Sequence, residues 1–134
     1  MEQFQLNTDG GARGNPGPAA IGVVLQNAAG GVVASFGKTI GSTTNNQAEY
    51  QAIVAGLKLA QEHHVQSLLV CADSELVIKQ LRGEYKVKNA ELKPWHSEAT
   101  QLIRSFPQIT LEAIRREKNA AADALVNQAL DAAI

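Results

Sequence analysis

Residues 3 to 9, Gln-Phe-Gln-Leu-Asn-Thr-Asp, alternate polar and apolar side chains, and that period of two predicts a strand with one buried face, ending at Asp9. The next stretch, Gly10 to Pro18, is so dense in glycine and proline that it predicts a loop whose backbone can approach a neighbour closely. Two β-rich segments, residues 20 to 27 and 32 to 40, flank Asn27-Ala28-Ala29-Gly30-Gly31 and predict a hairpin. From Asn45 to about His63 the apolar period changes to 3.6, with Ile53, Gly56, Leu57 and Ala60 on one face and Thr43 or Thr44 as N-cap. Val65 to Ala72 is a continuous apolar run, as in a strand buried on both faces. A short helix from Glu75 to about Arg82, a polar segment from Gly83 to Lys93 and a helix from Pro94 to about Ser105 follow. Ile109 to Ile114 alternates again as a fifth strand. Asn119 to about Ala133 then carries Ala122, Leu125, Val126, Ala129, Leu130 and Ala133 on a helical face.

The order βββαβααβα implies an α/β fold: a five-stranded mixed sheet with helices on both faces. A length of 134 residues, without a repeat or an obvious linker, suits one domain over 1–134. Hydrophobic residues make up 45% and charged ones 19%, yet no apolar run approaches the ~18 residues of a membrane span, and the N-terminus lacks a secretory pattern. A soluble, cytoplasmic monomer is the expectation. Cys71, the single cysteine, falls inside an apolar strand and reads as a small core residue. Net charge is −1, so any contact with a polyanion must rest on a local basic patch or on bound cations.

The aspartates change the picture. Only four occur, and Asp9, Asp73 and Asp123 fall at element ends, while Glu49 opens the first helix on the stripe that faces the sheet. If the first and fourth strands lie side by side, about 4.8 Å apart, Asp9 and Asp73 meet at the strand ends where open α/β sheets bind ligands. Such a cluster repels itself unless divalent cations neutralise it; hard oxygen donors without a His-Cys cluster point to Mg²⁺ or Mn²⁺ and away from zinc. Two such ions would clamp a phosphodiester for hydrolysis.

Four blocks then resemble the signatures of type 1 ribonuclease H, in the family's order and across nearly the whole chain. They are Thr8-Asp9-Gly10-Gly11-Ala12-Arg13-Gly14-Asn15-Pro16-Gly17, Thr44-Asn45-Asn46-Gln47-Ala48-Glu49, Ala72-Asp73-Ser74 and Asn119-Ala120-Ala121-Ala122-Asp123-Ala124-Leu125. The resemblance implies the ribonuclease H-like fold and an endonuclease that cleaves the RNA strand of RNA–DNA hybrids, leaving 5′-phosphate and 3′-hydroxyl ends. It makes Asp9, Glu49, Asp73 and Asp123 catalytic ligands for two ions when substrate is bound. It also implies that Gly10, Gly11, Arg13, Asn15, Asn45 and Gln47 meet the RNA strand and its 2′-hydroxyls, with Thr44 holding a DNA-strand phosphate. No organic cofactor is implied.

The chain departs from the family's commonest pattern in lacking a histidine shortly before the fourth acid. His63 and His64 end a helix, His96 lies elsewhere, and none is expected to be catalytic. Arg116 resembles the arginine of the histidine-lacking branch, found in archaeal and some bacterial members, and is expected to aid the site; by composition alone Arg115 to Lys118 reads as a solvated face. A basic protrusion is also missing, although Lys79, Arg82, Lys86, Lys88 and Lys93 leave a modest basic patch, with Trp95 either stacking on substrate or packing in the core. Two other readings keep the fold: a catalytically weak or inactive hybrid-binding module, and an integrase, transposase or junction resolvase. A dinucleotide site is disfavoured because the glycine-rich stretch feeds a strand, not a helix.

Overall fold

The computed structural model describes residues 1–133. Its strands are β1 (Gln3–Ala12), β2 (Gly17–Gln26), β3 (Val32–Thr43), β4 (Ser67–Ala72) and β5 (Gln108–Ala113). Its helices are α1 (Asn45–Glu62), α2 (Glu75–Leu81), α3 (Lys93–Arg104) and α4 (Ala120–Ala132), with a 3₁₀ turn at Arg116–Lys118 before α4. The strands form one mixed sheet in the order β3-β2-β1-β4-β5. β1 is antiparallel to β2 and parallel to β4, which places Thr8 beside Ala72 and brings Asp9 and Asp73 to neighbouring positions.

The two faces of the sheet are covered unequally. On one, Leu6, Val23, Leu25, Leu68 and Val70 pack under Tyr50, Ile53 and Leu57 of α1, with Val77, Ile78, Leu92 and Phe106 closing the core. Each large side chain buried there contributes about 1.5–3 kcal/mol. On the other face the described residues form a small cluster, Ala20 of β2 against Val126 and Leu130 of α4. Glycine makes that second contact close: a Cβ on Gly22 would lie 2.2 Å from the Ala122 carbonyl oxygen, and one on Gly37, its partner across the ladder, 2.6 Å from that of Leu125. Asp9 pairs with Gly22 and so points toward α4 too.

The predicted element order is observed, with corrections at the edges. The expected loop from Gly10 to Pro18 shrinks to residues 13–16, because β1 runs on to Ala12 and β2 begins at Gly17. Gly10 serves as a contact point, not a turn: a Cβ there would sit 2.2 Å from the Ala48 carbonyl oxygen of α1. β1 is buried on both faces from Leu6 to Gly10, where one buried face was expected, since α4 covers the side that carries Asn7 and Asp9. β3 continues to Thr43, three residues past its predicted end, and β4 starts at Ser67 rather than Val65. Cys71 is buried, as its apolar run predicts.

Candidate active site

The N-terminus of α1 is fastened to the end of β1. Thr44 is its N-cap, accepting from the Gln47 N–H at 3.2 Å, which decides between the two threonines. One turn on, Glu49 reaches the strand and its Oε1 accepts from the Gly10 N–H at 2.8 Å. The glycine that lets α1 approach is thus the one whose amide holds the acid. Asp73 follows β4 directly, and Ser74 caps α2 by accepting from the Val77 N–H. Asp123 lies in the first turn of α4.

These elements bring Asp9, Glu49 and Asp73 together, with one carboxylate oxygen from each lying within 4.8 Å of the others. Asp123 contacts Asp9 from α4 and lines the same open cleft of about 350 Å³. Burial, opposed by the hydrogen bond with Glu49 and helped by the charges of Asp73 and Asp123, pushes the Asp9 carboxyl from its ordinary 3.8 up to about 7. Burial, with the Asp9 charge beside it, also lifts Glu49 well above the usual carboxylate range, and the hydrogen bond between the two carboxyls lets them share a proton. Among the described residues no Lys, Arg or His forms an ion pair with any of the four acids. A set of oxygen donors, crowded, half-buried and without an internal counter-charge, fits a hard divalent cation.

The other predicted residues divide between two hollows. Gly10, Gly11, Arg13, Asn45 and Arg116 line the acid cleft, together with Ala12, Asn46 and Ser74. Asn15 sits at its rim, where Oδ1 accepts from the Asn45 N–H at 3.0 Å, and Asn45 Oδ1 in turn accepts from the Ala12 N–H at 2.8 Å. Thr44 and Gln47 line a separate hollow with Pro16, Ser42, Thr43 and Glu91. There Gln47 donates to Glu91 at 2.7 Å and accepts from the Thr43 hydroxyl at 2.7 Å.

The basic patch is smaller than its sequence suggests. Lys79 pairs with Glu75 at 2.7 Å, and the Arg82 guanidinium donates to the Leu111 carbonyl and pairs with Glu84, which leaves Lys86, Lys88 and Lys93 as the exposed members without an ion pair among the described residues. Trp95 packs against the core and lines a hollow with Lys38, Gln51 and Lys58, away from the acids. His63 and His64 are exposed at the end of α1, and the His96 ring meets the Gln80 carbonyl oxygen at 3.2 Å. Sequence reasoning missed Asn119, Asn127 and Asp131. Asn127 donates to Asp123, Asp131 holds Arg13 at 2.6 Å, and Asn119 is fully buried beside Asp73. Only Asn119 left a signal, as the one polar residue before an alanine run four positions ahead of an acid.

Residues 7–129 match the reverse transcriptase-like family. The chain is 44% identical over 123 residues to a protein named ribonuclease HI from Halobacterium salinarum, covering 92% of this chain and 62% of that protein. It is 41% identical over 129 residues to a bifunctional protein of Mycobacterium tuberculosis, covering 96% of this chain and 35% of its relative. The chain thus spans under two thirds of these curated relatives. Among solved structures, it superposes on ribonuclease H1 of Halobacterium salinarum with a TM-score of 0.94 at 42% identity, over 97% of this chain and 98% of the other. The compost-derived LC11 ribonuclease H1, solved in complex with an RNA/DNA hybrid, gives 0.91 at 41% identity over the same shares.

Proposed function

This chain belongs to the type 1 ribonuclease H family, and from that membership we propose that it is an endoribonuclease hydrolysing the RNA strand of RNA–DNA hybrids to 5′-phosphate and 3′-hydroxyl products. The observation that carries the proposal is the meeting of Asp9, Glu49 and Asp73 within 4.8 Å in a cleft that Asp123 also lines. Asp9, Glu49, Asp73 and Asp123 would hold two Mg²⁺ or Mn²⁺ ions. When bound, such ions activate water at neutral pH and stabilise the charge that develops on the leaving oxygen.

The chain's own part is to hold and aim. The Gly10 amide orients Glu49, and the proton shared by Glu49 and Asp9 must leave before either acts as an anionic ligand. Activity therefore rises with pH toward and above 7 as the carboxyls are freed. Gly10 and Gly11 offer backbone near the acids, and Arg13, Asn15 and Asn45 stand at the rim, where polar groups can read the 2′-hydroxyls that distinguish RNA from DNA. Gln47 and Thr44 lie farther off, beside a separate hollow; by the family resemblance Gln47 meets an RNA 2′-hydroxyl and Thr44 a phosphate of the DNA strand. Arg116, exposed on the cleft wall, supplies positive charge where other relatives place a histidine.

The test is to incubate labelled RNA–DNA hybrid, duplex RNA and duplex DNA with Mg²⁺ or Mn²⁺, alongside Asp73→Asn. Cleavage of the hybrid's RNA strand that vanishes in the variant is expected. Unaltered cleavage by Asp73→Asn would remove Asp73 from the mechanism, and an inert wild-type protein would favour a hybrid-binding role.

A further inference from the structure

Asn119 is 1% exposed, yet it is a polar residue inserted between the sheet and the start of α4. Its amide orientation follows from its partners. The Thr8 carbonyl oxygen can only accept, so Nδ2 must face it, at 2.9 Å, and Oδ1 must face Asn7, whose Nδ2 donates at 3.1 Å. Asn7 Oδ1 is then turned to Gln5, whose Nε2 donates at 2.8 Å. Three amides thus form a chain of donors running one way, from the rim of β1 inward. At its end the second N–H of Asn119 points at Asp73 Oδ2, 3.5 Å away.

The same residue is tied to the other acids. Thr8, whose carbonyl it holds, precedes Asp9 in β1, and the Asn119 carbonyl oxygen accepts from the Asp123 N–H at 3.1 Å in the first turn of α4. The buried side chain therefore touches Asp73 directly and Asp9 through the neighbouring peptide, and by tying the residue that starts α4 to β1 it seats the first turn that carries Asp123. A core amide needed only for packing would require none of these directions, and apolar residues would fill the space at less risk of an unmet hydrogen bond.

We propose that Asn119 is a positioning residue for the carboxylate cluster, aimed by the Gln5–Asn7 relay so that Asp73 and the first turn of α4 are held in the geometry that takes up divalent ions. The inference rests on the metal-dependent reading of the site given above. Partners of this kind behind metal ligands set ligand orientation, and their loss typically costs about 10- to 100-fold in metal affinity or activity.

The experiment uses the full chain as wild type, Asn119→Leu and Asn7→Leu, each titrated with Mn²⁺ by calorimetry, melted in chelator and assayed on hybrid. The expected result is a Mn²⁺ dissociation constant about 10- to 100-fold weaker in Asn119→Leu and several-fold weaker in Asn7→Leu. The hybrid KM should hold near wild type, and kcat should recover as Mn²⁺ is raised. A lower melting temperature with wild-type Mn²⁺ affinity in Asn119→Leu would mean a purely structural residue and overturn the inference. Should Asn119→Leu not fold, Asn7→Leu decides: unchanged Mn²⁺ affinity overturns the relay, and weakened affinity supports it. A wild-type protein that binds no Mn²⁺ and leaves hybrid intact defeats the reading of the site, and this inference with it. Wild-type binding and cleavage beside unaltered variants defeat the inference alone.

Discussion

Replacing Asp9 by Asn should make the protein more stable without metal and useless with it. Asp9 is buried beside Glu49, Asp73 and Asp123, and its carboxyl is lifted from 3.8 to about 7, chiefly by burial. A folded-state value above the unfolded one means that the folded chain holds a proton the unfolded chain releases. The contribution of Asp9 to stability is then fully present below about 4 and is lost as pH rises through 7. At 1.36 kcal/mol per pKa unit the full effect is on the order of 4 kcal/mol. Solvent at the open mouth of the cleft and the proton shared with Glu49 reduce it to about 2 kcal/mol. For a chain of this size that corresponds to a rise of roughly 5 to 10 °C in melting temperature for Asp9→Asn at pH 8 in chelator, and less at pH 5. With Mn²⁺ at about 100 times its dissociation constant the wild type should gain about 2.7 kcal/mol, and the variant far less. Thermal melts of both proteins at pH 5 and 8, with chelator and with Mn²⁺, measure all four quantities. An Asp9→Asn protein that melts at or below the wild-type temperature in chelator at pH 8 would show that the acids are not held together against their repulsion.

Gly22→Ala inserts a Cβ 2.2 Å from the Ala122 carbonyl oxygen, so α4 must lift from the sheet and carry Asp123 with it. Denaturant melts should show a loss of about 1–3 kcal/mol. Steady-state assays should show kcat down by roughly 100-fold for a shift near 1 Å; wild-type turnover would mean that α4 need not sit so close. Asp131→Asn releases Arg13 from an exposed ion pair and should change stability by less than about 1 kcal/mol. It should lower the hybrid KM and steepen its salt dependence, since a freed guanidinium at the cleft rim can meet a phosphate; an unchanged KM would place Arg13 outside the interface.

The strand and helix periods foretold the order of elements because each signal is local: alternation in β1, the continuous run of β4, the 3.6 period of α1. Adjacency of Asp9 and Asp73 followed from placing the first and fourth strands together, and the parallel β1–β4 ladder has them so. The glycines were misread for a physical reason. Gly10 and Gly11 carry turn composition, but Gly10 answers to the distance at which α1 packs, a constraint imposed by a residue 38 positions away. Gly22 and Gly37 answer to α4 in the same way, each lying under a backbone carbonyl of that helix. Asn7 looked like the solvent side of a half-buried strand; only the helix at the chain's far end makes it internal and gives its amide a partner in Asn119. Convergence of acids was legible because charge is costly to bury, whereas the amides that aim them are neutral and leave little trace in composition.

Asp9, Glu49, Asp73 and Asp123 should close on divalent ions. A crystal grown or soaked with Mn²⁺ and measured at the manganese absorption edge addresses it directly. Anomalous peaks are expected in contact with carboxylate oxygens of Asp9, Glu49 and Asp73, with Asp123 turned toward them. Peaks confined to other parts of the surface, with these four side chains free of metal, would contradict it.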